Sequence, residues 1–163
     1  MQSVLRVVGI ALFTILGVFF VAFGTLYASI DDMLWFHAAA VPEAARAAVL
    51  PLYLALMDLI GSASIGLGLL SLYVVFGPIR QGSFAAAWAL SLSFAAALVG
   101  AGLVAERLAA VTGAPTSWHI MGALLALTAT ALFCSTRRSA RPAHLAENRA
   151  KEARGLLVGD RRH

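Results

Sequence analysis

The stretch LYLALMDLIGSASIGLG, residues 52–68, carries one aspartate, Asp58, among apolar and small residues. The apolar run around it extends from about Val49 to Phe76. It reads as a helix that crosses a bilayer, because about 20 mainly apolar residues span a hydrocarbon core of roughly 30 Å. A carboxylate inside such a helix is costly unless it is hydrogen-bonded, paired or carrying its proton. If the helix enters the layer near Leu50, a rise of about 1.5 Å per residue puts Asp58 about 12 Å deep. At that depth an ionisable group is expected to face the interior of a helix bundle. Ser62 follows one helical turn later, so Asp58 and Ser62 form the candidate ligand-binding or proton-relay pair. On the plainer reading, Asp58 joins its helix to a hydroxyl such as that of Thr14, Ser91 or Ser93.

Three further apolar segments complete the pattern: about Val4 to Tyr27, Phe84 to Val104 and Trp118 to Cys134. The first is longer than the apolar region of a signal peptide and is expected to be a retained span. The chain has 163 residues, 61% hydrophobic and 12% charged, against about 25% charged in a soluble domain. The expected fold is all-α: an integral membrane four-helix antiparallel bundle over residues 1–136, followed by a basic tail over 137–163. Each span carries a stripe of small residues suited to close helix packing in lipid. In the first span, Gly9, Gly17 and Gly24 lie close to one face. In the second, Gly61 shares a side with Asp58, and Ser62–Gly66 and Ser64–Gly68 are small pairs one turn apart. The GPIRQG segment, residues 77–82, is a short turn between the second and third spans.

Basic residues set the threading, because Lys and Arg in short loops stay on the cytoplasmic side. Eight of the twelve, Arg137, Arg138, Arg141, Arg149, Lys151, Arg154, Arg161 and Arg162, follow the fourth span, and Arg6 and Arg80 fall on the same side. The opposite loops hold Arg46 and Arg107 against Asp31, Asp32, Glu43 and Glu106. Both termini are therefore expected in the cytoplasm. Trp and Tyr favour the two interfaces, which assigns Tyr27, Trp35 and Trp118 to the outer one and Tyr73 and Trp88 to the inner one. The tail lacks aromatic interleaving, so nucleic acid is not an expected partner.

The segment SIDDMLWFHAAAVPEAAR, residues 29–46, is expected to lie on the outer surface as an interfacial connector with a helical, amphipathic run. It joins ERLAAVTGAPTSWH, residues 106–119, in an outer polar cluster of Asp31, Asp32, His37, Glu106 and His119. His37 and His119 are metal-ligand types, but no HxxxH or HExxH spacing supports a site. No cofactor is expected. Cys134 stands alone and has no partner for an internal disulfide or a CxxC pair.

The sequence from WFHAAAVPEAARAAVLPLYLALMDLIG to VVFGPIRQG, with the later TSWHIMGALLAL, resembles small bacterial four-span membrane proteins. An outer His-Ala segment leads into a Leu-Ala-Leu-Met helix with glycines and a short basic turn. The resemblance implies the four-helix fold and a bacterial inner membrane, and it carries no activity or functional residue. Sterol isomerase-like proteins share the architecture, but no catalytic set matches residue by residue.

Without a nucleophile elbow, P-loop or dinucleotide fingerprint, the leading expectation is non-enzymatic. It is an accessory subunit, or a binder of a hydrophobic small molecule or lipid in an intrabundle pocket. The expected partners are the lipid bilayer, that small molecule, and a second copy or a larger membrane complex. Two alternatives stay open: a proton-linked oligomeric transporter using Asp58, and a lipid-modifying enzyme with Asp58 or Glu106 as acid or base.

Overall fold

The computed structural model describes residues 2–113 and 118–136. The tail, with its expected basic anchor, lies outside the described residues. Among the described residues five α-helices follow in order: α1 (Gln2–Ala28), the single turn α2 (Trp35–Ala38), α3 (Glu43–Val74), α4 (Phe84–Thr112) and α5 (His119–Thr136). Four of them are long and apolar enough to cross a membrane. Among the described residues the structure is helical without strands, and four candidate spans suggest a multi-pass membrane protein.

Two spans run longer than their apolar cores. α3 opens at Glu43 directly after Pro42, whose fixed φ suits the entry to a helix, and it passes through Pro51 without breaking. α4 continues through Glu106 and Arg107 to Thr112 and stops at Gly113. That glycine has a φ of 67°, the left-handed conformation that ends helices, and its N–H donates to the Ala109 carbonyl at 2.8 Å. The segment expected as an amphipathic surface run is not one helix. It contributes the single turn α2, and Glu43 already belongs to α3.

α3 widens into a π-helical turn at Val75–Ile79, VFGPI. Pro78 has no N–H to give to the preceding turn, so the helix opens by one residue and the Arg80 N–H reaches the Val75 carbonyl at 3.1 Å. Gly82, with a φ of 94°, turns the chain, and the Ser83 hydroxyl caps α4 by accepting from the Ala86 N–H at 3.3 Å.

The spans form an up-and-down bundle in the order α1, α3, α4, α5. α1 packs most extensively on α3 and then on α5, and α4 packs on α5. α3 and α4 barely touch as helices, and their contact runs mainly through the π-helical turn that joins them. The expected glycine stripe of α1 is where the close approaches occur. A side chain at Gly24 would meet the Gly61 carbonyl oxygen, one at Gly17 would meet Ser71, and one at Gly9 would meet the Ser135 backbone of α5. The centre is filled by Phe13, Leu16 and Phe20 of α1, Val75 and Ile79 of the π-helical turn, and Phe94 and Leu98 of α4, with the small Ala131 of α5 packed against them. Phe20 and Phe94 stack in parallel across the bundle with ring centroids 5.0 Å apart. Leu52, Leu59, Leu69, Leu92, Val99, Leu103 and Phe133 point outward and are more than two-fifths exposed. Apolar residues therefore cover both the inside and the outside, the pattern lipid contact selects.

Candidate functional site

The charged groups divide between the two ends of the bundle. Arg6 at the start of α1 and Arg80 after the π-helical turn mark one end, where the Arg6 guanidinium donates to the Arg80 carbonyl oxygen. Asp31, Asp32, Glu43, Asp58 and Glu106 gather toward the other, the acidic end.

Asp58 does not face the bundle interior. Its residue is exposed, as is Ser62, and Asp58 makes no hydrogen bond among the described residues. The hydroxyls expected as its partners are engaged elsewhere or out of reach. Thr14 donates to the Ile10 carbonyl at 2.9 Å and Ser93 to the Ala89 carbonyl at 3.0 Å, while Ser91 is buried in α4 with its Oγ unpartnered among the described residues. The face of α3 that meets α1 runs through Gly61 and Gly68, so it passes beside Asp58 rather than through it.

The expected depth changes as well. A side chain at Gly61 would lie 2.6 Å from the backbone nitrogen of Ala28, so the last residue of α1 sits beside Gly61. Asp58 is nearly one turn beyond it, and α3 continues past the end of α1 to Glu43. Measured from Ile79, Asp58 is about 32 Å along the helix at about 1.5 Å per residue. A hydrocarbon layer of roughly 30 Å laid from the arginine end therefore finishes close to Asp58. A layer placed so would leave the carboxylate at its edge, within reach of water and headgroups, and would spare it the desolvation cost of a mid-membrane acid.

The acidic end contains a built polar contact of a different kind. α2 folds back on α3 so that His37 Nδ1 and the Tyr53 hydroxyl form a hydrogen bond of 2.8 Å, and the Leu34 N–H also points at that hydroxyl at 3.4 Å. Arg46 fastens the connection by donating to the Val41 carbonyl at 3.2 Å and the Ala38 carbonyl at 3.1 Å. Asp32 accepts from the Met33 N–H at 2.6 Å and so serves its own loop. Beside the His37–Tyr53 pair lies a cleft of about 270 Å³, walled by Met33 and Val41 of the connection, Val49 and Met57 of α3, and Leu108 of α4. It opens where α3 and α4 separate. Burial lowers the His37 pKa below the usual 6.5 and favours the neutral imidazole.

A second groove, about 350 Å³, runs between α4 and α5 and is lined by Leu98, Gly102, Glu106, Trp118, Met121 and Leu125. Glu106 is exposed, and its Oε1 accepts from the Trp118 N–H at 3.3 Å, just before α5 begins. A carboxylate there satisfies a free N–H and favours the positive end of the helix dipole. Glu106→Ala is therefore expected to lower stability by about 0.5–1 kcal/mol, read as a lower unfolding midpoint in detergent. Glu106→Gln should recover part of the loss.

Among the sequence candidates, the structure separates more than it joins. His37 and His119 share the acidic end, but His37 is bound to Tyr53 while His119 stacks on Trp118 at 4.9 Å. Among the described residues, no three His, Cys, Asp or Glu side chains come together as a metal site. Asp58 and Glu106, the candidate acids of the transporter and enzyme alternatives, belong to different surroundings. The residues that sequence reading missed are Tyr53, Arg46, Met33 and Met57. Tyr53 offered a signal, since a phenol inside an apolar span needs a hydrogen-bond partner.

Compared with protein-family models, with curated proteins and with solved structures, the chain matches none. The resemblance to small four-span proteins therefore stands on the quoted residues alone.

Proposed function

We propose that this chain is a non-enzymatic protein of a bacterial inner membrane, with both termini in the cytoplasm, that binds a hydrophobic small molecule or lipid. The observation that carries the reading is the cleft at the acidic end: an apolar wall with one polar pair, the half-buried His37 and the buried Tyr53, at its edge. Ligand sites are typically apolar with a few placed polar groups that fix orientation. Filling of the bundle centre by Phe13, Leu16, Phe20 and Phe94 leaves no room there, which supports a pocket at the acidic end over one within the bundle. A volume of about 270 Å³ suits one acyl or prenyl segment, with a carbonyl or hydroxyl end directed to the imidazole. The threading rests on the arginine end being cytoplasmic, as basic residues prefer.

The test is mass spectrometry of molecules retained by the protein after extraction in mild detergent. Tyr53→Phe and His37→Phe should each reduce retention of the bound species several-fold, while Asp58→Asn should leave it unchanged. Equal retention in all three variants would sink the assignment of the cleft.

The same histidine gives a pH dependence. Because its folded pKa is depressed, the unfolded chain takes up a proton first as pH falls. The stability this contributes is complete above the usual 6.5 and is lost as pH falls from there through the lower folded value. The unfolding midpoint should thus drop on going from neutral to mildly acidic pH, and His37→Phe should flatten that part of the profile.

A further inference from the structure

The arginine end of the bundle has a feature that the cleft does not explain. Arg6 and Arg80 are brought together by the turn after α3, with the Arg6 guanidinium bound to the Arg80 carbonyl oxygen and about 3.5 Å from where a Gly82 side chain would begin. Both arginines are exposed, and neither meets a carboxylate among the described residues, whose acids gather toward the opposite end. An arginine has five N–H donors. One donor of Arg6 is used by the carbonyl, so most of the donors of the pair face outward unspent.

The surroundings select among anions. The same end carries Tyr73 and Phe76 of the α3 side and Phe84 and Trp88 of α4, all between 44% and 74% exposed, with the Phe84 and Trp88 rings 6.0 Å apart. Val4 and Val7 of α1 are also exposed there. A free phosphate gains nothing from such a surface. A molecule with a phosphodiester head and long apolar chains gains from both parts, because guanidinium pairs with phosphate oxygens in a bidentate fashion and the aromatic belt contacts the chains.

We propose that Arg6 and Arg80 form a site for the headgroup of an anionic phospholipid, of the phosphatidylglycerol type, in the membrane leaflet at this end. Arg6 is held in place by the Arg80 backbone, so the site is partly ordered before lipid arrives and costs less to fill.

The test uses the full chain, delipidated and returned to nanodiscs or mixed micelles containing either phosphatidylglycerol or phosphatidylcholine. Bound lipid is counted by native mass spectrometry and stability is read by thermal unfolding. Phosphatidylglycerol should be retained in preference and should raise the unfolding midpoint. Arg6→Gln with Arg80→Gln should reduce that preference by roughly fivefold for each arginine removed and leave the phosphatidylcholine result unchanged. Should the double variant fail to fold, Arg80→Gln alone serves, because the Arg6 contact is to the Arg80 backbone and survives the change. A preference left undiminished in Arg80→Gln overturns the site and moves the lipid contact elsewhere on the chain. Stabilisation by inorganic phosphate alone, equal to that by lipid, overturns the choice of a phospholipid.

Discussion

Gly61→Leu is expected to separate α1 from α3 and cost the chain its folded bundle. Gly24 and Gly61 face each other so closely that a side chain on either meets the other's carbonyl oxygen, at 2.5 Å from Gly24 and 2.7 Å from Gly61. The obstacle is backbone, which cannot rotate away as a side chain can. The helix axes must move apart, and that also loosens the next contact along, where a side chain at Gly68 would lie 2.7 Å from the Gly17 carbonyl oxygen. Overpacking of a core costs about 1–3 kcal/mol when side chains can yield, so this change should reach or exceed the upper figure. The comparison is Gly66→Leu, five residues further along the same helix, where the added side chain meets nothing within 4 Å. That substitution should stay within about 0.5 kcal/mol. Denaturant titration in detergent, together with yield of monodisperse protein, measures both. Similar stability for the two variants would show that α1 and α3 do not pack along this line.

Phe94→Ala should produce the second large loss, for a different reason. Phe94 is fully buried and stacks on Phe20 with the ring planes 2° from parallel. In water, removing a buried ring costs both transfer energy and a cavity, but acyl chains are about as apolar as the core, so the transfer part nearly vanishes in lipid. The cavity part remains. At about 24 cal/mol per Å³ and roughly 100 Å³ lost, it amounts to about 2–3 kcal/mol. Phe94→Leu should recover most of this, since it refills the space. The double variant with Phe20→Ala should fall short of the sum of the two single losses, because each ring loses the same contact. Full additivity would mean that the two rings do not rely on one another.

Much of the architecture was legible from residue types alone. Four apolar runs gave four helices long and apolar enough to span, GPIRQG gave the tight turn, and the Gly9, Gly17 and Gly24 spacing located the face on which α1 meets its neighbours. These features are local: apolar length sets whether a helix can span, and small residues at helical spacing permit close approach whichever helix arrives. The extensions of α3 back to Glu43 and of α4 on to Thr112 were less legible, because these helices outlast their apolar cores.

Asp58 shows where that reading ends. Gly61 is three residues away and buried against α1, whereas Asp58 is exposed, so the boundary between packed and open surface passes between two residues on the same broad side of α3. In a soluble helix, alternation of apolar and polar positions would have marked that boundary. Here both sides are apolar, and the pattern carries no direction. Depth was equally hidden, since it depends on where α1 ends beside α3, at Ala28 next to Gly61. The His37–Tyr53 contact joins residues 16 apart through a one-turn helix that folds back, and no spacing rule encodes it. The sequence by itself determined how many helices can cross a membrane and which small residues let them approach. The tertiary structure decided which polar groups face one another and at what level, because in lipid hydrophobicity drives a helix into the layer but does not say which of its faces turns inward.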